Sequence, residues 1–231
     1  LITGMHDHRW SEAERLFRNA TRLEPSYAEA HHWLGTNLLA PLGRLDEALE
    51  SLAVAQRLDP LNPVIAESRG FVKLLARRYE EALVDQRAAM ELDPNFHLTN
   101  SSIGRVYMLM GRYEEAVHWM FKARELSGGS DKLDAALGQC LWLAGRREEA
   151  LRTLQRLKDE GKKRFVPYTA TAILLIGMEQ FDAAIDWLEL ALNRGEFSAA
   201  FIGTHPIYDP LRRFPSFTRL VNRLNLPAAV R

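Results

Sequence analysis

A segment of the form Arg-x-x-Glu-Ala returns along the chain at Arg9, Arg44, Arg78, Arg112 and Arg146, and in a degenerate form at Gln180. Its successive spacings are 35, 34, 34, 34 and 34 residues. A fixed period in the thirties means one supersecondary unit copied in tandem, each too small to bury its own apolar face and completed by its neighbours. Such stacks curve into extended concave surfaces suited to holding another chain.

Within one period, Pro63 to Phe96, the residues Ala66, Gly70, Leu74, Tyr79, Ala82, Leu83 and Ala89 fall at helical rather than alternating spacing. The pattern predicts a first helix over about 63–76 and a second over about 79–92. Asp93-Pro94 then stops the second helix, because proline lacks the amide and clashes with the preceding turn. Glu24-Pro25 and Asp59-Pro60 repeat that stop. The acidic pairs Asp46-Glu47, Glu80-Glu81 and Glu114-Glu115 open second helices, where carboxylates favour the positive end of the helix dipole. Second helices are therefore expected to begin near Trp10, Leu45, Tyr79, Tyr113, Arg147 and Phe181, with no β-strand anywhere.

Two columns of small residues run through the repeats. Gly35, Gly70, Gly104, Gly138 and Ala172 share one position of the first helices, and Ala13, Ala48, Ala82, Ala116, Ala150 and Ala184 one position of the second. Helices approach closely only where neither carries bulk, so these columns mark the crossing inside each pair. Phe17, Leu52, Met120, Leu154 and Leu188 supply the bulk between pairs.

The columns of Gly, aromatic, Ala, Ala and Pro resemble those of the tetratricopeptide repeat, TPR. The first copy carries Trp10, Ala13, Phe17, Ala20 and Pro25, and the fourth carries Gly104, Tyr107, Gly111, Tyr113, Ala116 and Ala123. The resemblance covers residues 1–195 and implies an all-α fold, a right-handed TPR α-solenoid of antiparallel helix pairs. It implies an array of about five and a half repeats over 1–196, the first truncated, and a capping extension over 197–231. Some positions depart from the pattern. The second repeat has an extra residue near Pro41, the third has Gln86 at an apolar position, and the fifth has Arg147 and Leu157 in place of an aromatic and an alanine. The later turns, such as Ser127-Gly128-Gly129-Ser130, lack proline.

Beyond Gly195 the repeat stops, yet Phe201, Ile202, Ile207, Tyr208, Leu211, Phe217, Leu220, Val221 and Leu224 follow, a composition foreign to a disordered tail. Phe217, Leu220, Val221 and Leu224 have the spacing of an amphipathic helix opened by Pro215-Ser216. The expected role is a cap on the last repeat. Pro206, Asp209-Pro210-Leu211-Arg212 and Pro215-Ser216-Phe217 also resemble the ending of C-terminal TPR arrays in bacterial multidomain regulators. With a start at Leu1 inside a repeat, the chain is expected to be a piece of a longer protein.

Chemistry is sparse. Lys+Arg and Asp+Glu both number 30, and no like-charge block exists to track a phosphate backbone, so no direct nucleic-acid partner is expected. No apolar run reaches the roughly 20 residues that span a bilayer, and no membrane partner is expected. The pairs His6/His8 and His31/His32 lack the further ligands of a metal site. Cys140 has no base beside it, and Gly128-Gly129 lies outside any phosphate-loop context. No catalytic, cofactor or metal residue is assigned, and the chain is expected not to be an enzyme. A cytoplasmic location is expected, or a periplasmic one if the parent protein is membrane-anchored.

The resemblance directs one face of each first helix into a concave groove. There the chain offers Phe71, Leu74, Arg105, Met108, Gln139, Trp142 and Ile173. The Lys and Asn residues with which chaperone-binding TPR domains grip a terminal carboxylate are not carried over. This largely apolar strip suits an amphipathic or apolar peptide, so the expected function is a protein-interaction scaffold, the binding or regulatory module of a larger bacterial signalling or transcription-regulatory protein. Two other uses stay open for the same surface. It can pack under the folded-back tail, or it can join copies into a homodimer as an assembly module.

Overall fold

A computed structural model describes residues 10–226. Among them every regular element is helical and none is a strand. The first helices are α2 (Ala28–Trp33, prolonged by a π-helical stretch Leu34–Leu39), α4 (Pro63–Leu75), α6 (His97–Leu109), α8 (Asp131–Leu143) and α10 (Tyr168–Gly177). The second helices are α1 (Trp10–Leu23), α3 (Leu45–Leu58), α5 (Tyr79–Leu92), α7 (Tyr113–Leu126), α9 (Arg147–Gly161) and α11 (Phe181–Arg194). Five of these begin at the residue the spacing requires, and α1 is helical from Trp10, the first described residue. Arg9, His6 and His8 lie outside the described residues.

The recurring segment has a physical reason. Within each pair the first helix ends in a left-handed residue, Gly43, Arg77, Gly111, Gly145 or Glu179, with φ of 72°, 61°, 77°, 82° and 58°. The next residue, Arg44, Arg78, Arg112, Arg146 or Gln180, donates its amide to the carbonyl five residues back, closing a Schellman turn. The same residue is the N-cap of the second helix. At Arg44, Arg112 and Arg146 the guanidinium then forks onto the glutamate three positions on. Arg44 Nε and Nη2 reach Glu47 at 2.7 and 2.6 Å, Arg146 pairs likewise with Glu149 at 2.7 and 2.9 Å, and Arg112 pairs with Glu115. Arg78 reaches back instead to Asp46 at 2.8 Å. These pairs are exposed and contribute little to stability, but those at Arg44, Arg112 and Arg146 place a carboxylate on the positive end of a second helix.

Arg77 and Glu179 hold a backbone conformation that costs an L-residue with a side chain about 1–2 kcal/mol. Glu179 is exposed. Glu179→Gly is therefore expected to stabilise the protein by about 0.5–1 kcal/mol, the strain relieved less the extra freedom glycine gives the unfolded chain. Thermal unfolding should show a Tm higher by about 2–4 °C for each kcal/mol.

The small-residue columns lie where helices touch. A Cβ on Gly35 would stand 3.0 Å from both the Ala48 carbonyl oxygen and Leu52 Cγ, and one on Gly104 would stand 3.0 Å from Met120 Cγ. Gln86 fills the space that Leu52 and Met120 fill elsewhere. It is fully buried, its Nε2 donates to the Glu67 carbonyl at 3.1 Å, and its Oε1 has no partner. The extra residue of the second repeat is absorbed by the π-helical stretch, where Ala40 N–H bonds to the Gly35 carbonyl at 2.9 Å, five residues back. After the proline-free turn, in the first turn of α8, Asp131 accepts from Arg164 and Asp134 from Arg124 and Arg156. The Arg164 guanidinium holds the Asp131 carboxyl below the usual carboxylate range.

Contacts group the chain into two compact units. The first comprises residues up to 94 with 200–206 and 221–226, and the second 95–199 with 207–220. In the first unit α3 packs on α2 and α4, and α4 on α5. Its core includes Phe17, Leu38, Leu39, Leu52, Leu74 and Leu75, each at most 2% exposed. Trp10 Nε1 donates to the Leu224 carbonyl at 2.6 Å. In the second unit α6 packs on α7, α8 on α7, α9 and α10, and α10 on α11.

The extension is ordered as 3-10 turns over Phe197–Phe201 and Pro206–Leu211, followed by α12 (Pro215–Arg223). The expected helix is present with Phe217, Leu220 and Val221 in it and Leu224 one residue past its end, and all four residues are buried. In the second unit Phe214 packs on Phe181 at 5.5 Å between ring centroids, and Phe217 stacks on Tyr208 at 6.4 Å. Pro167, the N-cap of α10, offers no side-chain acceptor, and Glu196 supplies one from 28 residues along the chain. Its carboxylate accepts from Tyr168 N at 2.6 Å, Thr169 N at 3.1 Å and Thr169 Oγ1 at 2.8 Å.

Candidate protein-binding site

The residues assigned to the groove fall in two columns at 34-residue spacing, Phe71, Arg105, Gln139 and Ile173 in one, Leu74, Met108 and Trp142 in the other. In the first unit, α4 carries Phe71 and Leu74. Leu74 is fully buried. Phe71 is half-buried, edge-on to Phe201 at 5.6 Å and tilted against His205 at 6.0 Å, so the extension furnishes part of its surroundings.

In the second unit, α6 carries Arg105 and Met108, α8 carries Gln139 and Trp142, and α10 carries Ile173. Arg105, Trp142 and Ile173 are half-buried, whereas Met108 and Gln139 are 6% and 3% exposed. Gln139 lies against α10 so closely that a Cβ on Gly177 would stand 2.6 Å from its Cγ, and its Oε1 has no partner. The Arg147 guanidinium lies 5.3 Å from the Trp142 ring centroid, a cation–π contact that steadies the indole. Arg105 stands near two buried groups. Burial pushes the Cys140 thiol up to about 12 and raises Tyr208 as well, and the positive charge of Arg105 opposes both shifts. Cys140 is accordingly a protonated, packed thiol at neutral pH.

The helix pairs have counterparts among solved structures. TTC0263, a thermophilic TPR protein of Thermus thermophilus, aligns with a TM-score of 0.60 and 21% identity over 86% of this chain and 100% of its own. The Cut9–Hcn1 hetero-tetramer of the APC/C aligns with a TM-score of 0.64 and 15% identity over 99% of this chain and 45% of that one. The chain has the TPR fold. MamA is a further match, with a TM-score of 0.54 and 22% identity over 67% of this chain and 90% of its own. No protein-family model and no curated protein matches the sequence.

Exposure is uneven among the residues that repeat phase assigns to the groove. Leu74, Met108 and Gln139 form covered positions, and Phe71, Arg105, Trp142 and Ile173 keep accessible surface. Repeat phase alone placed these residues and left out Phe201, His205 and Tyr208, which lie outside the TPR period. The only sequence signal for them is the apolar composition of the extension. Among the described residues no group of three or more His, Cys, Asp and Glu could hold a metal ion, and no helix is long and apolar enough to cross a membrane. His31 is half-buried with Nε2 3.1 Å from the Pro25 carbonyl oxygen, and His32 Nε2 lies 2.9 Å from Ser68 Oγ.

Proposed function

We propose that this chain is a non-catalytic interaction scaffold that holds an apolar or amphipathic peptide segment along the first-helix face of its second unit. The observation that carries the reading is the half-buried state of Arg105, Trp142 and Ile173, one from each of three successive first helices of the second unit. Half-buried residues of these types keep their rotamers while offering area, which is how aromatic and arginine anchors supply binding energy. Arg105 orients the ligand by hydrogen bonds, and Met108 and Gln139, both covered, support the strip from beneath. The resemblance of the Pro206–Leu220 segment to the ends of regulator arrays supports placing the scaffold in a larger bacterial regulatory protein, with the cytoplasm as its compartment.

The test is selection from a random peptide display library with the wild-type chain, followed by titration of the selected peptides against the Trp142→Ala, Ile173→Ala double variant. We expect affinity to fall at least tenfold with an unchanged helical circular-dichroism spectrum. Equal affinity for the double variant would place the binding face elsewhere.

A further inference from the structure

Between the N-terminal turns of α2 and α4, the first unit contains a cavity of about 460 Å³ that involves none of the groove residues. Its size falls within the roughly 300–1,000 Å³ of sites that enclose small ligands or single anchoring groups. Tyr27, Glu29, His32, Trp33, Asp59 and Val64 line it. Tyr27 and Val64 are 42% and 39% exposed, so the cavity opens to solvent beside an aromatic and an aliphatic wall.

The charge in this cavity has one sign. Glu29 accepts a hydrogen bond from the Tyr27 hydroxyl at 2.5 Å, and Asp59 accepts one from Asn62 Nδ2 at 2.8 Å. No lysine or arginine is among the lining residues. Burial holds His32 below its ordinary value, against the pull of Glu29, so the imidazole is neutral at neutral pH. The positive helix ends that would invite an anion are already met. Glu29 lies in the first turn of α2, and Asn62 Oδ1 accepts from Val64 N at 3.0 Å at the start of α4.

We propose that this cavity is a binding site for the arginine side chain of a partner peptide. Two carboxylates in a cavity lined by no lysine or arginine select positive charge, and Tyr27 and Trp33 favour a cation that can also stack. A guanidinium meets both demands, since it is planar, forks onto a carboxylate and is less strongly hydrated than an ammonium group. The site rests on the interaction reading only in that its ligand is a peptide, and its residues are separate from those of the groove.

The experiment follows the Trp33 indole N–H by heteronuclear NMR, assigned with Trp33→Phe, during titration with N-acetyl-arginine amide. The expected result is a saturable shift that is absent with N-acetyl-citrulline amide, the uncharged isostere, and weaker with N-acetyl-lysine amide. Glu29→Gln combined with Asp59→Asn should weaken the arginine response at least tenfold, and Glu29→Gln alone, at an exposed position, should weaken it measurably in a folded protein. An equal response to citrulline, a lysine response as tight as that of arginine, or unchanged binding by the double variant would each overturn the assignment. The Trp142→Ala, Ile173→Ala variant should keep the arginine response, so failure of this site and failure of the groove are told apart.

Discussion

Phe217→Ala should lower the unfolding free energy by about 3–5 kcal/mol, the cost of removing a large aromatic ring from a packed interior. Phe217 is 1% exposed and stacks on Tyr208, itself 3% exposed, in a part of the chain that lies outside the repeat period. Against a total stability of about 5–15 kcal/mol, that loss is a large share of the whole. Urea unfolding followed by circular dichroism measures it. Phe197→Ala is the control, because Phe197 is 52% exposed and its removal should change stability by no more than about 0.5 kcal/mol. Similar small effects at both positions would mean that the extension is an appendage rather than part of the core.

Glu196→Ala should cost about 2–3 kcal/mol, from a lost helix cap and from donors left buried without an acceptor. The substitution strips Tyr168 N, Thr169 N and Thr169 Oγ1 of their common partner, and Thr169 is 2% exposed, so water replaces the carboxylate poorly. Because the Thr169 hydroxyl proton goes to Glu196, Ser198 Oγ must donate to Thr169 Oγ1 across their 2.9 Å contact, and that bond loses its orientation too. Glu196→Gln keeps one acceptor oxygen and should recover about half of the loss. Amide hydrogen exchange supplies the local readout, with faster exchange expected at Tyr168 and Thr169 in the alanine variant. Unchanged protection there would show that α10 does not depend on this cap.

The helix boundaries were legible in the sequence because each rests on chemistry that recurs in register. Arg112 closes one helix, caps the next and pairs with Glu115, so three local requirements fall on one short segment. The Gly35 and Gly104 columns were legible for the same reason, a close approach repeated at constant phase. Solvent exposure within the candidate site was not. Leu74 and Trp142 share a repeat position, yet one is fully buried and the other half-buried. Repeat phase says which way a side chain points and nothing about what covers it. Phe201 and His205 pack on Phe71 through contacts that occur once in the chain, and a feature without repetition leaves no periodic trace. The cavity between α2 and α4 was equally hidden, since Tyr27 and Asp59 lie in turns and join Glu29 and Trp33 only after the pairs have stacked.

The turn inside each pair bears on how such a chain can change length. Ala76-Arg77-Arg78, Met110-Gly111-Arg112, Ala144-Gly145-Arg146 and Met178-Glu179-Gln180 all connect their helices with three residues, and the last of the three belongs to the closing of one helix and the opening of the next. An insertion there would uncouple two helix ends at once. The one extra residue this chain does carry is lodged inside a helix, as the π-helical stretch Leu34–Leu39. In these four pairs the joints are therefore the inelastic parts, and the second repeat shows a helix serving as an expansion gap. Variation by single residues should accumulate in helix bodies and in the links between pairs, while growth of the array proceeds by whole 34-residue units.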